Sequence, residues 1–446
     1  MMHVVILGNG ISGITAARFL RKLGDHQITV VSSETEFFYS RTALMYIYMG
    51  HMRFEDTKPY EDWFWKKNRI NLRNAHIQSI DFSGKKLIPA SGESISYDKL
   101  ILATGSASNK FGWSGQDLQR VHGLYSYQDL EAMEKYSAGL KRAVIVGGGL
   151  IGIEMAEMFH SRHIPVTMLV REKNYWNNVL PAEESRMVSR HILEHGIDLR
   201  LSEELKEIHD NGQGEACAIT TKSGAKIDCG FVGLTAGVHP NIHFLKDDAL
   251  EIDRGILVDK NLQTNLEDVY AIGDCAQQRE PLPGRRSIEA IWYTGRMMGE
   301  TVAHNIMGNP TAYDPGIWFN SAKFLDIEYQ VYGQAPNRLP DEMDTLYWEH
   351  SDGKASIRIN YHKYQGQVLG FNLMGIRYRH EVCEKWIRDK RPVEEVLQDL
   401  GLANFDPEFF EEYEEKMIEL YNQKTGKKLQ LKSKRGLSKV LSFLKT

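Results

Sequence analysis

The sequence predicts an α/β protein: two units of parallel sheet covered by helices, followed by a smaller α+β domain. Three observations carry this reading. An apolar run, His3-Val4-Val5-Ile6-Leu7, meets Gly8-Asn9-Gly10-Ile11-Ser12-Gly13 and then a helical pattern. About 140 residues on, Ala143-Val144-Ile145-Val146 meets Gly147-Gly148-Gly149-Leu150-Ile151-Gly152 in the same way. From about Gly316 the pattern changes to alternating strands.

Each apolar run reads as a buried parallel strand, and each G-x-G-x-x-G turn as a phosphate cradle. The first glycine permits the tight turn, the second lets backbone approach a pyrophosphate, and the third lets the helix pack on the strand. The helix N-terminus adds free N–H groups and a positive dipole end. Two cradles in one chain imply two dinucleotides on two Rossmann-like domains, and dinucleotides held face to face imply electron transfer.

The elements follow in order. Residues 3–8 form the first strand, Ile11 to Leu23 a helix with Ile14, Ala17 and Leu20 inward, and Ile28 to Val31 a second strand. The stretch from Asp62 to Ile88 alternates as strands do, and Tyr97 to Gly105 is an apolar strand ending in a Thr-Gly turn. The second unit begins near Leu124, with a helix over Ser126–Ser137, strand 143–147, helix 150–161, strand Pro165–Val170 and an acid-rich helix from Glu183 to His195. Strands rich in Gly and Thr lead to Val232–Gly237. The chain then returns to the first unit through Thr264–Cys275 and a helix over Glu289–Met307. Strands are expected at 318–324, 329–332, 345–349, 356–361 and 368–374, closed by helices 379–388 and 393–400. Expected boundaries are 1–122 and 241–315 for the first domain, 123–240 for the second, 316–402 for the α+β domain and 403–446 for an extension. In that extension 408–419 is acidic and helical, and 424–446 carries Lys and Arg without Asp or Glu.

A net charge of -5 gives no general attraction to nucleic acid. No stretch approaches the ~20 apolar residues that span a bilayer, and the first strand leaves no room for a signal peptide. The cysteines, Cys217, Cys229, Cys275 and Cys383, form no C-x-x-C, and no metal site is read. A reducing, cytoplasmic location is expected.

With the Ala103-Thr104-Gly105 turn and Ile272-Gly273-Asp274, the two fingerprints make four ordered motifs. In that order the chain resembles the FAD-dependent pyridine nucleotide–disulfide oxidoreductases. It is most similar to the ferredoxin, rubredoxin and nitrite-reductase-associated flavoprotein reductases, over about residues 3–390. The resemblance implies that Gly8, Gly10, Ile11, Ser12 and Gly13 cradle the FAD pyrophosphate, with Ala103, Thr104 and Gly105 beside it. It implies that Glu34 holds the adenosine ribose, that Arg41 of Tyr39-Ser40-Arg41 packs along FAD, and that Gly273 and Asp274 bind its ribityl or pyrophosphate part. The helix carrying Trp292, Tyr293 and Thr294 would present N–H groups to the flavin, although core packing explains Trp292 equally well. Gly147, Gly149, Leu150, Ile151 and Gly152 would hold NADH or NADPH, with Gly237 nearby. Hydride would pass from nicotinamide to flavin, a step in which the protein supplies orientation and excludes water.

Two departures bear on chemistry. No cysteine precedes Cys217, and Ser40 stands about where one branch carries its redox cysteine, so a thiol relay beside the flavin has no sulfur to use. Glu154 matches a glutamate of the ferredoxin-reductase relatives, but the position of its lysine partner holds Tyr46. An Arg at the end of strand 165–170 would pair with the 2′-phosphate of NADPH, and an acid would accept from the ribose of NADH. Arg171 tilts the reading toward NADPH; Glu172, next in line, opposes it.

The expected function is therefore an NAD(P)H-dependent FAD oxidoreductase serving an external acceptor, either an iron–sulfur protein such as ferredoxin or rubredoxin, or a quinone. An NADH oxidase and an NADH-responsive binding protein are the alternatives. In the basic end, Leu437, Val440, Leu441 and Leu444 share one helical side. It reads as a helix packed on its own protein or a solvated end, with peripheral membrane contact through Lys432, Lys434, Arg435 and Lys439, or attraction to an acidic redox partner, as alternatives. A homodimer is implied by resemblance alone.

Overall fold

The computed structural model describes residues 1–245, 249–405 and 411–432. The first sheet runs Val269–Ala271, Lys99–Leu102, His3–Leu7, Gln27–Ser32, Ile70–Asn74, all parallel. The second runs Asp198–Leu201, Val166–Val170, Ala143–Val146, Phe231–Leu234, Val121–His122, again all parallel. These are the two Rossmann-like units. In each, the strand feeding the glycine turn has the next strand of its sheet in sequence on one side and a strand reached much later on the other. The turn therefore sits at the switch point, where a crevice opens beyond the strand ends. Val4, Val5 and Ile6, and likewise Val144 and Ile145, are fully buried, as strands covered on both faces require.

Three expectations change in the structure. The stretch 62–88 is not all strand: Asp62–Lys67 is a helix, followed by strands Ile70–Asn74, Ile77–Asp81 and Lys86–Pro89. Asp62 in its first turn and Lys66 and Lys67 in its last suit the helix dipole, and Trp65 anchors it in the core. The late helix begins at Trp292 rather than Glu289, because Glu289 is held in the preceding loop by both its oxygens to Arg285, at 2.6 and 2.7 Å. The acidic helix runs Glu414–Thr425 and ends at Gly426, whose φ of 73° gives the left-handed cap. Residues 408–410 lie outside the described residues, as do Leu437, Val440, Leu441, Leu444, Lys434, Arg435 and Lys439. Lys432 is described and pairs with Asp399 at 3.2 Å. Among the described residues no helix is long and apolar enough to cross a membrane.

The C-terminal sheet is antiparallel, ordered Phe319–Phe324, Ile327–Gly333, Val368–Met374, Ser356–His362, Met343–Glu349. Its Phe324, Ile327, Tyr329 and Val331 share one core with Ile153, Met158, Met187 and Val188 of the second unit. A buried charge cluster joins the same two parts. Arg358 donates to both oxygens of Glu184, at 2.7 and 2.9 Å, and to Glu183 at 2.7 Å, while Asn372 donates to Glu184 at 3.1 Å. Glu184 is 0% exposed and Arg358 5%.

Candidate functional site

The two glycine turns have the same internal geometry. Gly8 and Gly147 adopt φ of 120° and 130°, and a Cβ there would lie 2.0 Å from the Ala103 carbonyl and 2.5 Å from the Thr235 carbonyl. A Cβ on Gly13 would meet the Gly8 carbonyl at 2.1 Å, and one on Gly152 the Gly147 carbonyl at 2.6 Å. The middle glycines differ: around Gly10 and Gly149 nothing lies within 4 Å of such a Cβ. Outer glycines are thus demanded by the protein's own packing, whereas the middle ones face open space. Gly10 and Gly149 are also the N-caps of helices Ile11–Leu23 and Leu150–Ser161, with no side-chain cap on the free N–H groups. These cradles fit two pyrophosphates.

Around the first cradle, residues distant in sequence converge. Ser12 lies against Gly273 and Gly295, where Cβ atoms would stand 2.3 and 2.7 Å from its hydroxyl. Ala103 donates to the Leu7 carbonyl at 2.8 Å, placing the Ala103-Thr104-Gly105 turn beside Gly8. Asp274 accepts from Ser106 at 2.9 Å and from the Tyr125 hydroxyl at 3.2 Å, and burial pushes its carboxyl above the usual range.

Glu34 and Arg41 are joined to each other. Arg41 donates to both Glu34 oxygens, at 2.9 and 2.6 Å, and Glu34 also accepts from the Tyr39 hydroxyl and from the Tyr127 N–H. Burial opposes the Glu34 charge, yet Arg41 outweighs it and holds the carboxyl below its ordinary value. The Arg41 guanidinium lies 4.5 Å over the Tyr125 ring and donates to the Tyr125 carbonyl. Tyr125 is the residue that sequence reasoning missed. It touches Gly105, Arg41 and Asp274, yet it lies in no motif and only folding brings it there.

Thr294 is buried and its hydroxyl donates to the carbonyls of Ile291 and Glu289, so its side chain serves the helix start. Tyr293 turns to the C-terminal sheet, its ring 4.6 Å from that of Phe319 and its hydroxyl 3.2 Å from that of Ser321.

At the second cradle, Leu150 and Ile151 open the helix half-buried, and the Gly149 carbonyl accepts from Tyr175. Gly237, at φ 89°, accepts from the Asn109 N–H at 3.0 Å. At the strand end, Arg171 donates to Glu172 at 2.7 Å; Arg171 is 73% exposed at its side chain and Glu172 21%.

Glu154 lies one turn into the helix. Burial, reinforced by the Glu157 charge, pushes its carboxyl up to about 7. Lys323 neutralises Glu157 at 2.7 Å, and Tyr46, in the place of a lysine partner, stacks on His51 instead. A carboxyl raised from 4.5 to about 7 binds its proton more tightly when folded. Its stabilising contribution is fully present below about 4.5 and is lost as pH rises through about 7. Glu154→Gln is therefore expected to melt above the wild type at pH 8 and level with it at pH 4.5, read by tryptophan fluorescence. An equal difference at both pH values would refute the assignment.

Cys275 is buried, and its thiol donates to the carbonyls of Leu102 and Ile272 at 3.4 and 3.3 Å. Burial raises its pKa, so it is a packed thiol rather than a thiolate.

Comparison with known proteins agrees with this architecture. The rubredoxin-NAD(+) reductase of Ectopseudomonas oleovorans is 27% identical over 381 residues, covering 83% of this chain and 98% of that one. The rhodocoxin reductase of Rhodococcus erythropolis is 30% identical over 330 residues, covering 72% and 76%. Among solved structures, the covalent putidaredoxin reductase–putidaredoxin complex superposes with a TM-score of 0.78 at 21% identity, over 94% of this chain and 98% of that one. Residues 2–301 match the pyridine nucleotide-disulphide oxidoreductase family, and the chain belongs to it.

Proposed function

We propose that this oxidoreductase carries electrons from NADH through FAD to an iron–sulfur protein of the rubredoxin or ferredoxin type. The observation that carries the proposal is the pair of glycine turns whose middle glycines face open space. When bound, FAD supplies the hydride acceptor and the onward electron donor.

In this reading Gly10 and Gly149 admit the two pyrophosphates, and the helix N-termini behind them donate N–H groups. Asp274 receives hydroxyls of the FAD chain, oriented by Ser106 and Tyr125. Glu34 positions Arg41, since its oxygens are taken by Arg41, Tyr39 and Tyr127. Glu154 stands in the nicotinamide environment. Cys275, packed as a thiol, offers no thiolate beside Asp274 to intercept electrons, and the relatives named for rubredoxin support a protein acceptor.

Of the two nucleotides we take NADH, reversing the lean toward NADPH. Glu172 is the more enclosed of the deciding pair and already holds Arg171. Loss of hydrogen bonds to a charged group amounts to about 1.5–3 kcal/mol, so Glu172→Gln is expected to weaken NADH use by roughly tenfold or more and to spare NADPH. Equal loss with both nucleotides would overturn the choice.

The acceptor is tested by rapid-mixing reduction with NADH, followed by turnover with rubredoxin, ferredoxin, a soluble quinone and dioxygen. Turnover should be fastest with an iron–sulfur protein. Faster turnover with quinone or dioxygen would overturn the proposal, as would a long-lived charge-transfer complex with negligible turnover.

A further inference from the structure

Helix Ala182–Glu194, its C-cap His195 and the tight hairpin between strands Phe319–Phe324 and Ile327–Gly333 bring together His191, His195 and Asp326. We propose that these three residues form a zinc site that joins the second glycine unit to the C-terminal domain.

The arrangement has the parts such a site needs. Residues four apart on a helix project from one face, the spacing by which two histidines grip one ion. One ligand atom from each of His191, His195 and Asp326 lies within 4.8 Å of the others. A tetrahedral zinc with bonds near 2 Å has ligand-to-ligand edges of about 3.3 Å, and His195 Nε2 stands 3.4 Å from Asp326 Oδ1. His191 Nε2 reaches the same oxygen directly. Zinc would take the place of the hydrogen between these two atoms, the imidazole then carrying its proton on Nδ1.

The outer contacts also suit metal binding. His195 Nδ1 lies 2.9 Å from the His191 carbonyl, a bond that places the proton on Nδ1 and leaves Nε2 as a ligand. His191 is 1% exposed, and its Nδ1 is buried without a hydrogen-bond partner. Glu194 Oε2 stands 3.8 Å from Nδ1, close enough to take its proton after a small rotation. Lys354 holds the other Asp326 oxygen at 3.3 Å.

The hairpin itself is strained in a way that serves the cluster. Leu325 adopts φ 58°, a left-handed conformation unfavourable to a bulky side chain, and this turn aims Asp326 at the helix. The side chains of His195 and Asp326 are 28% and 55% exposed, so an ion can enter and its fourth position faces water.

The test uses the full-length, tag-free holoprotein, stripped with chelator and dialysed against Zn(II). One zinc per chain is expected, together with a rise in melting temperature on adding zinc. His195→Ala and Asp326→Ala change partly exposed side chains and should lower zinc affinity at least a hundredfold while leaving the bound flavin spectrum unchanged. Co(II) should give an intense visible band in the wild type and none in either variant. Affinity should fall in acid, because protons compete with zinc for the ligand atoms. Absence of stoichiometric zinc in the wild type would reduce the cluster to an ion pair and overturn the proposal. Retention of zinc by both variants would overturn it equally.

Discussion

Gly149→Val is expected to abolish reduction by NADH while leaving FAD content and fold intact, and Gly10→Val to yield folded protein without flavin. Both positions have extended backbone, φ -113° and -69°, that valine adopts freely. No protein atom opposes the new Cβ at either site. The fold should lose only about 1 kcal/mol from the poorer N-cap. The side chain would occupy the space through which a pyrophosphate meets the helix N-terminus. Flavin absorbance per chain and stopped-flow bleaching by NADH read the two effects separately. Gly13→Val supplies the contrast: its Cβ would stand 2.1 Å from a backbone carbonyl, so the fold itself should fail. If Gly10→Val retains flavin, the first turn is not the FAD cradle.

The largest stability effect is expected at Arg358. Arg358→Met removes the guanidinium but leaves Glu184, fully buried, with Asn372 as its remaining side-chain donor among the described residues. Breaking a buried pair from one side costs about 3–5 kcal/mol, because an uncompensated charge remains. The double variant Glu184→Gln with Arg358→Met removes that charge and should recover much of the loss. Urea midpoints for the wild type, both single variants and the double variant measure the coupling. A double variant no more stable than Arg358→Met would show that packing of the arginine against the Tyr347 ring, 4.5 Å away, dominates instead.

Much of this was legible in the chain. The glycine turns were, because strand-to-helix connections around a phosphate tolerate few residue types at fixed offsets. The five C-terminal strands were, because short runs rich in β-branched and aromatic residues between turn residues favour strand, even where Ser356–His362 and Val368–Met374 are buried on both faces. The helix at Asp62–Lys67 was not: its aromatic run satisfies a strand pattern as readily as a helical one, and Trp65 chose by finding the core. Tyr125 and Asp326 were invisible for another reason. Each acquires its role from partners more than a hundred positions away, Asp274 and His191, and no local spacing encodes such meetings. Glu34 was read as a ribose ligand, but the sequence could not show that Arg41 and Tyr127 would claim its oxygens.

One detail of the first sheet bears on how the chain is born. Strand Lys99–Leu102 has His3–Leu7 on one side and Val269–Ala271 on the other, so its second neighbour leaves the ribosome only after the whole second unit. Until then Leu100, Ile101 and Leu102, all fully buried in the finished protein, line an open sheet edge. Such an edge is a template for pairing with other chains. The second unit, complete in its own five strands, can fold during that wait. Chains truncated before Val269 should aggregate, read by light scattering.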